Sequence, residues 1–287
     1  MAEALSGQVV AAFGRHYDVE TADGGIVSCV TRGKKTGVAC GDRLRFAPTG
    51  PNQGVIEAID PRASLLFRSD QFREKIIAAN ATQLIVVVAA EPAFYDDLVS
   101  RCLLAAEAAS LKVLIVLNKC DLEQAAATAR AKLAHYRDLG YPLLTLSAKR
   151  DIAPLRPYLQ GETSVLVGQS GMGKSSIINA LLPEAQAHTR EISQALNSGK
   201  HTTTHARLYH LDADSHIIDS PGLQEFGLAH LNEQGIAHAF VEFRPYLGHC
   251  RFSNCRHRVE PGCAVLEAAA AGKIGRQRLE TYRKLVR

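Results

Sequence analysis

The chain has no tryptophan, no internal repeat and no low-complexity segment, which excludes a solenoid or a repeat array. It also lacks an apolar run of membrane-spanning length; Leu84-Ile-Val-Val-Val-Ala-Ala90 reads as a buried strand. No membrane partner is expected. The N-terminus, Met1 to Gly7, has no basic stretch followed by an apolar core, so a secretory signal is not expected and the cytoplasm is the expected compartment. The seven cysteines are odd in number and cannot all pair, which in an unexported chain points to reduced thiols and a metal site. What is present is length and apolar content: 287 residues at 46% hydrophobic are enough for two or three domains with proper cores.

The pattern G-x-x-x-x-G-K-[ST] occupies Gly168, Gln169, Ser170, Gly171, Met172, Gly173, Lys174 and Ser175. It follows the apolar run Ser164 to Val167 and opens a helical stretch from Ser176 to Leu182, the strand-loop-helix context of a phosphate-binding loop. Backbone N–H groups of such a loop close around phosphates; Lys174 would reach the β- and γ-phosphates and the Ser175 hydroxyl would hold Mg²⁺. Downstream, His216-Ile-Ile-Asp219-Ser-Pro-Gly222 is an apolar strand ending in D-x-x-G. Its carboxylate suits a water-mediated contact to Mg²⁺ and the Gly222 N–H suits sensing of a γ-phosphate. Between them lies Thr202-Thr-Thr204, of which Thr203 is the expected Mg²⁺ ligand.

A guanine-reading pair lies upstream. Asn118-Lys119-Cys120-Asp121 ends the apolar run Lys112 to Leu117, at the carboxyl end of an expected parallel strand, where open α/β sheets bind ligands. Asp121 can accept hydrogen bonds from N1–H and the 2-amino group of guanine, which adenine does not offer, while Asn118 and Lys119 brace the base edge and the phosphate loop. Ser147-Ala148-Lys149 follows another apolar run and supplies a backbone N–H near the guanine O6. An ordinary small GTPase has its phosphate loop first. Here the base-reading motif precedes it, the order of a circularly permuted GTPase.

Two flanking segments have a different grammar. Residues 1 to about 70 carry short alternating runs separated by Gly, Asp, Pro and Asn, which predicts a small β-barrel. Arg32, Lys34, Lys35, Arg43 and Arg45 crowd one part of it against a single acid, Asp42; taken by composition such a basic loop is simply solvated. Near the other end, Cys250, Cys255, His257 and Cys263 offer three thiolates and one imidazole, the donor set of a closed structural zinc site. From Arg244 to Arg287 ten Arg or Lys stand against three Glu, so the rest of a chain of net charge +4 is acidic, and the basic end suits a polyanion.

On these motifs and their order, the chain resembles the RsgA family, also called YjeQ, of small ribosomal subunit biogenesis GTPases, along essentially its whole length. The resemblance implies a multidomain fold: an N-terminal β-barrel of the OB-fold type over 1–70 that binds RNA, a central α/β circularly permuted P-loop GTPase domain over 71–228, and a small, mostly helical zinc-binding domain over 229–287. It implies GTP and GDP as substrate and product, Mg²⁺ and one structural Zn²⁺ as cofactors, and the small ribosomal subunit with its ribosomal RNA as partner, for a chain expected to be a monomer. It also implies a role for His201 in positioning the attacking water. The residue after D-x-x-G is Leu223, which cannot orient water as a glutamine there does, and Gln224 lies one place further on. Because the D-x-x-G loop runs directly toward the zinc-binding segment, γ-phosphate is expected to set the orientation of that segment. Two alternatives stay open at this level: a GTP-regulated RNA-binding module with negligible turnover, and a P-loop kinase or ATPase, against which Asp121 argues.

Overall fold

Residues 4–33, 37–69, 74–182, 205–220, 228 and 230–286 are described by the computed structural model. Alternation of apolar and polar side chains bends the first five strands into a barrel: β1 (Leu5–Phe13), β2 (His16–Thr21), β3 (Ile26–Thr31), β4 (Arg43–Gly50) and β5 (Gln53–Ile59). They run in the order β1-β2-β3-β5-β4, and pairing of β1 with β4 closes the ring. Val9, Tyr17, Val19, Cys29, Leu44, Phe46 and Ile56 fill it as a core of its own. Asp42, the single acid of the basic stretch, is fully buried: it accepts the Ala39 N–H at 2.7 Å and pairs with Arg62 at 2.7 Å. It therefore does not neutralise the basic stretch. Arg43 is exposed, and Arg32 and Arg45 make only loose ion pairs, at 3.7 and 3.9 Å. Lys34 and Lys35 lie outside the described residues.

A hairpin of β6 (Leu65–Ser69) and β7 (Glu74–Ala79) leads into the alternating half of the chain. This comprises β8 (Gln83–Ala89), α1 (Asp96–Ala108), β9 (Lys112–Asn118), α2 (Glu123–Asp138), β10 (Leu143–Thr145), the single turn α3 (Arg156–Leu159), β11 (Thr163–Val167), α4 (Lys174–Leu181), β12 (Ala206–His210) and β13 (His216–Asp219). The alanine-rich stretches Tyr95 to Ser110 and Leu122 to Leu139, whose apolar residues recur at helical spacing, form α1 and α2. The strand order is β10-β9-β8-β11-β13-β12, parallel except for β12. Every residue of β8 is buried, as a continuous apolar run requires when both faces of a parallel sheet are covered.

The barrel is joined to this sheet edge to edge. β1 pairs with β12 at Ala11↔Arg207 and Ala12↔Ala206, giving one sheet of eleven strands in which the outer edge of β12 is covered. His210 reinforces the seam: its Nε2 lies 2.7 Å from Glu20 Oε2 on β2, and its Nδ1 lies 2.9 Å from His216 Nδ1. Burial, and after it the neighbouring His210, hold the pKa of His216 below its usual value. His216 is thus suited to accept from His210.

The C-terminal segment contributes α5 (Glu233–Ala239), α6 (Ala264–Ala270) and α7 (Arg276–Leu285), so the expected mostly helical character holds. Its large apolar residues Phe240, Phe243, Val265 and Tyr282 belong to the same core as the parallel sheet. Arg278 of α7 crosses that core. It donates to Glu242 at 2.5 Å and to the Ser100 hydroxyl on α1, and its guanidinium lies 4.4 Å from the centre of the Phe240 ring. Both charged side chains of this pair are under 5% exposed, at 3% and 4%.

Removing one partner of a buried pair strands the other charge in a medium that cannot solvate it. Arg278→Ala should therefore lower unfolding stability by about 3–5 kcal/mol. Arg276→Ala, which breaks the neighbouring pair with Glu280 where the arginine is 93% exposed, should cost under about 1 kcal/mol. Urea denaturation of the two variants checks the contrast.

Candidate functional site

The loops that carry the sequence motifs leave the carboxyl ends of β9, β10, β11 and β13, so they share one edge of the parallel sheet. Asn118 ties three of them together. Its Nδ2 donates to the Met172 carbonyl at 3.1 Å, and its Oδ1 accepts the Ala148 N–H at 3.0 Å. Lys119, in the left-handed region at φ +62°, sends its Nζ to the carbonyls of Gly171 and Glu91, at 2.7 Å each. The Cys120 N–H reaches the Leu146 carbonyl at 3.1 Å. Asp121 lies beside this junction, and a hydrogen bond from Ser147, its own N–H and the charges of Arg150 and Lys149 hold its carboxyl below the usual range. It stays an anion able to accept two donors.

The phosphate loop is shaped by its glycines. Gly168, at φ +150°, lies against the Val87 carbonyl of β8, and a Cβ there would strike that backbone oxygen. Gly173, at φ +91°, faces Asn118 so closely that a Cβ would strike its Nδ2. Lys174 opens α4, and its Nζ donates to the carbonyls of Gly168 at 2.7 Å and Gln169 at 3.1 Å. Burial lowers its pKa, and the charge of Asp219 at the end of β13 partly restores it. Ser170 and Ser175 are exposed, Ser176 is half-buried and Met172 is buried. The strand holding Asp219 is fixed to its neighbour by the Ser220 hydroxyl, which donates to the Leu166 carbonyl at 2.7 Å. His201, Thr203, Gly222, Leu223 and Gln224 lie outside the described residues.

One support had no motif to announce it. The loop after β8 lies over the phosphate loop: Glu91 supplies a carbonyl to Lys119, Pro92 is the neighbour that a Cβ on Gly171 would meet, and the Tyr95 N–H donates to Gln169 Oε1 at 2.9 Å. The Gln169 side chain is thereby turned toward this loop. The only signal in the sequence is the position of these residues at the carboxyl end of an apolar run.

At the other end of the chain, the ligand atoms of Cys250, Cys255, His257 and Cys263 lie within 4.8 Å of one another. Separations of 3.4 Å (Cys250 Sγ to His257 Nδ1), 3.4 Å (His257 Nδ1 to Cys263 Sγ) and 3.9 Å (Cys250 Sγ to Cys263 Sγ) can be compared with a tetrahedron built on zinc. Metal–ligand bonds of about 2.0–2.3 Å give edges of about 3.5–3.8 Å. The cluster is consistent with a zinc site. Burial pushes the Cys263 thiol up to about 12, raises Cys255 and lowers His257; a bound cation would favour the ionised thiols. Sequence reasoning missed Glu260, which folds the ligand loop. Although burial opposes it, its carboxylate is held down to about 2 by backbone donors that include Val259, Arg256 and Arg258. His257 itself sits at φ +56°, and the Tyr282 hydroxyl closes the turn by donating to the Arg256 carbonyl at 2.8 Å.

A parallel sheet carrying a phosphate loop on β11, with its base-reading loops on the earlier strands β9 and β10, defines a circularly permuted P-loop GTPase. A model of the RsgA GTPase family matches residues 59–229, and the chain belongs to that family. A relative from Nitrosospira multiformis, described as small ribosomal subunit biogenesis GTPase RsgA, is 57% identical over 282 residues, covering 98% of this chain and 90% of its own. One of the same description from Nitrosomonas europaea is 56% identical over 287 residues. Among solved structures, YjeQ from Thermotoga maritima superposes with a TM-score of 0.72 at 31% identity, covering 99% of this chain and 98% of its own. YloQ, described as a circularly permuted GTPase, does so with 0.70 at 26% identity, covering 99% and 94%.

Gly173→Ala combines a strained φ with a collision against Asn118, whereas Gly161→Ala carries the same kind of strain (φ +71°) into open space. The first should weaken binding of a fluorescent GTP analogue by more than about tenfold and destabilise by about 1–3 kcal/mol; the second should leave affinity unchanged. Nucleotide titration of both variants separates the collision from the strain.

Proposed function

We propose that the chain hydrolyses GTP during maturation of the small ribosomal subunit, and that the subunit and its ribosomal RNA are its partner. The observation that carries the nucleotide assignment is the brace between the Asn118 loop and the phosphate loop, because it sets a base-reading carboxylate at a fixed distance from a phosphate cradle. In this reading Asp121 accepts from N1–H and the 2-amino group of guanine, with Asn118, Lys119, Cys120 and Ser147 to Lys149 around the base. Gly168 to Ser176 cradle the phosphates, and Lys174 exchanges its two carbonyl partners for β- and γ-phosphate oxygens. Ser175, Thr203 and Asp219 would hold Mg²⁺, which would supply positive charge to the transferring phosphoryl group. Gly222 senses the γ-phosphate and His201 positions the attacking water.

The remaining assignments follow the same division. Residues 1–70 form an RNA-binding barrel, 71–228 the GTPase domain and 229–287 a zinc-binding domain whose orientation responds to the γ-phosphate through the segment after Asp219. Cys250, Cys255, His257 and Cys263 hold one structural zinc. Among the described residues no helix is long and apolar enough to cross a membrane; a cytoplasmic location and a monomeric state belong to the same proposed reading. The subunit is brought to this chain by the descriptions of its relatives.

GTP turnover measured with purified small subunits added and withheld tests the reading; a rise on addition is expected, and negligible turnover in both would favour the GTP-regulated binding module. Asp121→Asn should weaken GTP binding and improve relative binding of xanthosine triphosphate, since an amide can donate to the 2-oxo group; competition between the two nucleotides reads this directly. His201→Ala should keep GTP affinity within a few-fold and lower subunit-stimulated turnover by roughly 10²–10⁴, with Gln224→Ala as the milder control. Cys255→Ser should lose about one zinc per chain by metal analysis and lower the melting temperature, because metal binding and local folding are coupled.

A further inference from the structure

Four of the eight arginines at the basic end of the chain are paired with carboxylates. Arg244 pairs with Glu107, Arg256 with Glu233, Arg276 with Glu280 and Arg278 with Glu242. Arg251, between Cys250 and Cys255, forms no ion pair among the described residues, as is also the case for Arg258 and Arg283, but it alone of these three has its guanidinium against an aromatic ring, 5.5 Å from the centre of Phe252. Its position is set by the backbone. The Arg251 N–H donates to the Gly262 carbonyl at 2.9 Å, and its stem lies on Gly262, where a Cβ would come within 3.0 Å of it. Phe252 is 44% exposed, an unusual site for a phenyl ring beside a candidate metal cluster. The ring forms one wall of a cavity of about 260 Å³ between α5 and the ligand loop. Ala237 and Leu247 give that cavity apolar surface, Gln234, His238 and Ser253 bring hydrogen-bonding groups to it, and the candidate metal ligands Cys250, Cys255 and His257 also line it.

An exposed aromatic ring held next to a cation, a cavity of mixed apolar and polar lining beside it, and side chains able both to donate and to accept are the components of a base-stacking platform. The cavity is smaller than the usual range for drug-sized ligands, and its charged neighbour is positive, which disfavours acidic-residue chemistry on the wall and favours a phosphate-linked ligand. We infer that Phe252 and the adjoining cavity capture one unpaired nucleobase of single-stranded RNA, with the base stacked on Phe252, its edge on Gln234, His238 or Ser253, and Arg251 toward the adjoining phosphate. This rests on the proposed ribosomal RNA partner and adds to it a site that reads unpaired bases by stacking.

The absence of tryptophan supplies the experiment. Phe252→Trp in the full chain places a single indole at the site, and a short unstructured oligoriboadenylate is titrated while indole emission and strand polarisation are followed. Expected are binding with quenching of the indole, no quenching by an abasic strand of equal charge, and a roughly ten- to hundredfold loss of strand affinity in Phe252→Ala. Arg251→Ala should lower the salt dependence by about one counterion. Zinc content and subunit-free GTP turnover should match the parent in each variant. Binding by polarisation without quenching, or quenching equal for the abasic strand, would overturn the stacking site and leave the RNA partner standing. No binding of any strand or of small subunits by the parent would remove the RNA reading itself, and this site with it.

Discussion

One primary amide holds the nucleotide edge of the sheet together. Asn118 gives a donor to the phosphate loop and an acceptor to the Ser147–Lys149 loop, and Gly173 is bare of a side chain where the two meet. A carboxylate or an aliphatic group of similar size could not serve both neighbours, because one partner demands N–H and the other a carbonyl oxygen. The spacing between the Asn118 loop and the phosphate-loop motif, including the approach of Lys119 to Gly171, depends on that amide being fixed. Burial makes the fixing strong, since neither hydrogen bond has water to compete with it.

Permutation changes which segments the nucleotide can act on. The strand pair that ends in Asp219 also forms the seam with the barrel: β12 pairs with β13 on one side and with β1 on the other. The ladder and the Glu20–His210–His216 chain connect the barrel to the strand that ends in Asp219. The barrel nevertheless keeps its own apolar core, so it can be connected through backbone pairing without being fused by packing.

The C-terminal segment is attached in the opposite manner. Among the described residues no strand joins it to the sheet, yet its aromatic residues share the main core, and Arg278 is buried between Glu242, Ser100 and Phe240. A buried ion pair of this kind adds specificity of position more than net stability, because desolvation offsets much of the attraction. It fixes α7 against α1, at the helix that follows the loop buttressing the phosphate cradle. The candidate zinc cluster is then free to shape its own loop, with Glu260 and Tyr282 holding the turn.

Much of this was legible in the chain. Periodicity marked the barrel strands, α1, α2 and the apolar strands of the parallel sheet, since repeats of two and of 3.6 residues follow directly from backbone geometry. Motif order marked the permutation, because a phosphate loop must stand between a strand and a helix wherever it occurs, and the Cys and His types marked the metal cluster because thiolate and imidazole are what zinc accepts. The pairing of Asp42 with Arg62 away from the basic stretch, the β1–β12 seam, the cover supplied by Glu91 to Tyr95 and the burial of Arg278 were not legible. Each joins residues far apart in the chain through a hydrogen bond or a contact that any of many polar side chains could make. Local sequence determined which elements form and what chemistry each loop carries; only the tertiary structure decided which charges are buried, which edges are covered and which loops brace one another, because those outcomes depend on distances that no spacing along the chain encodes.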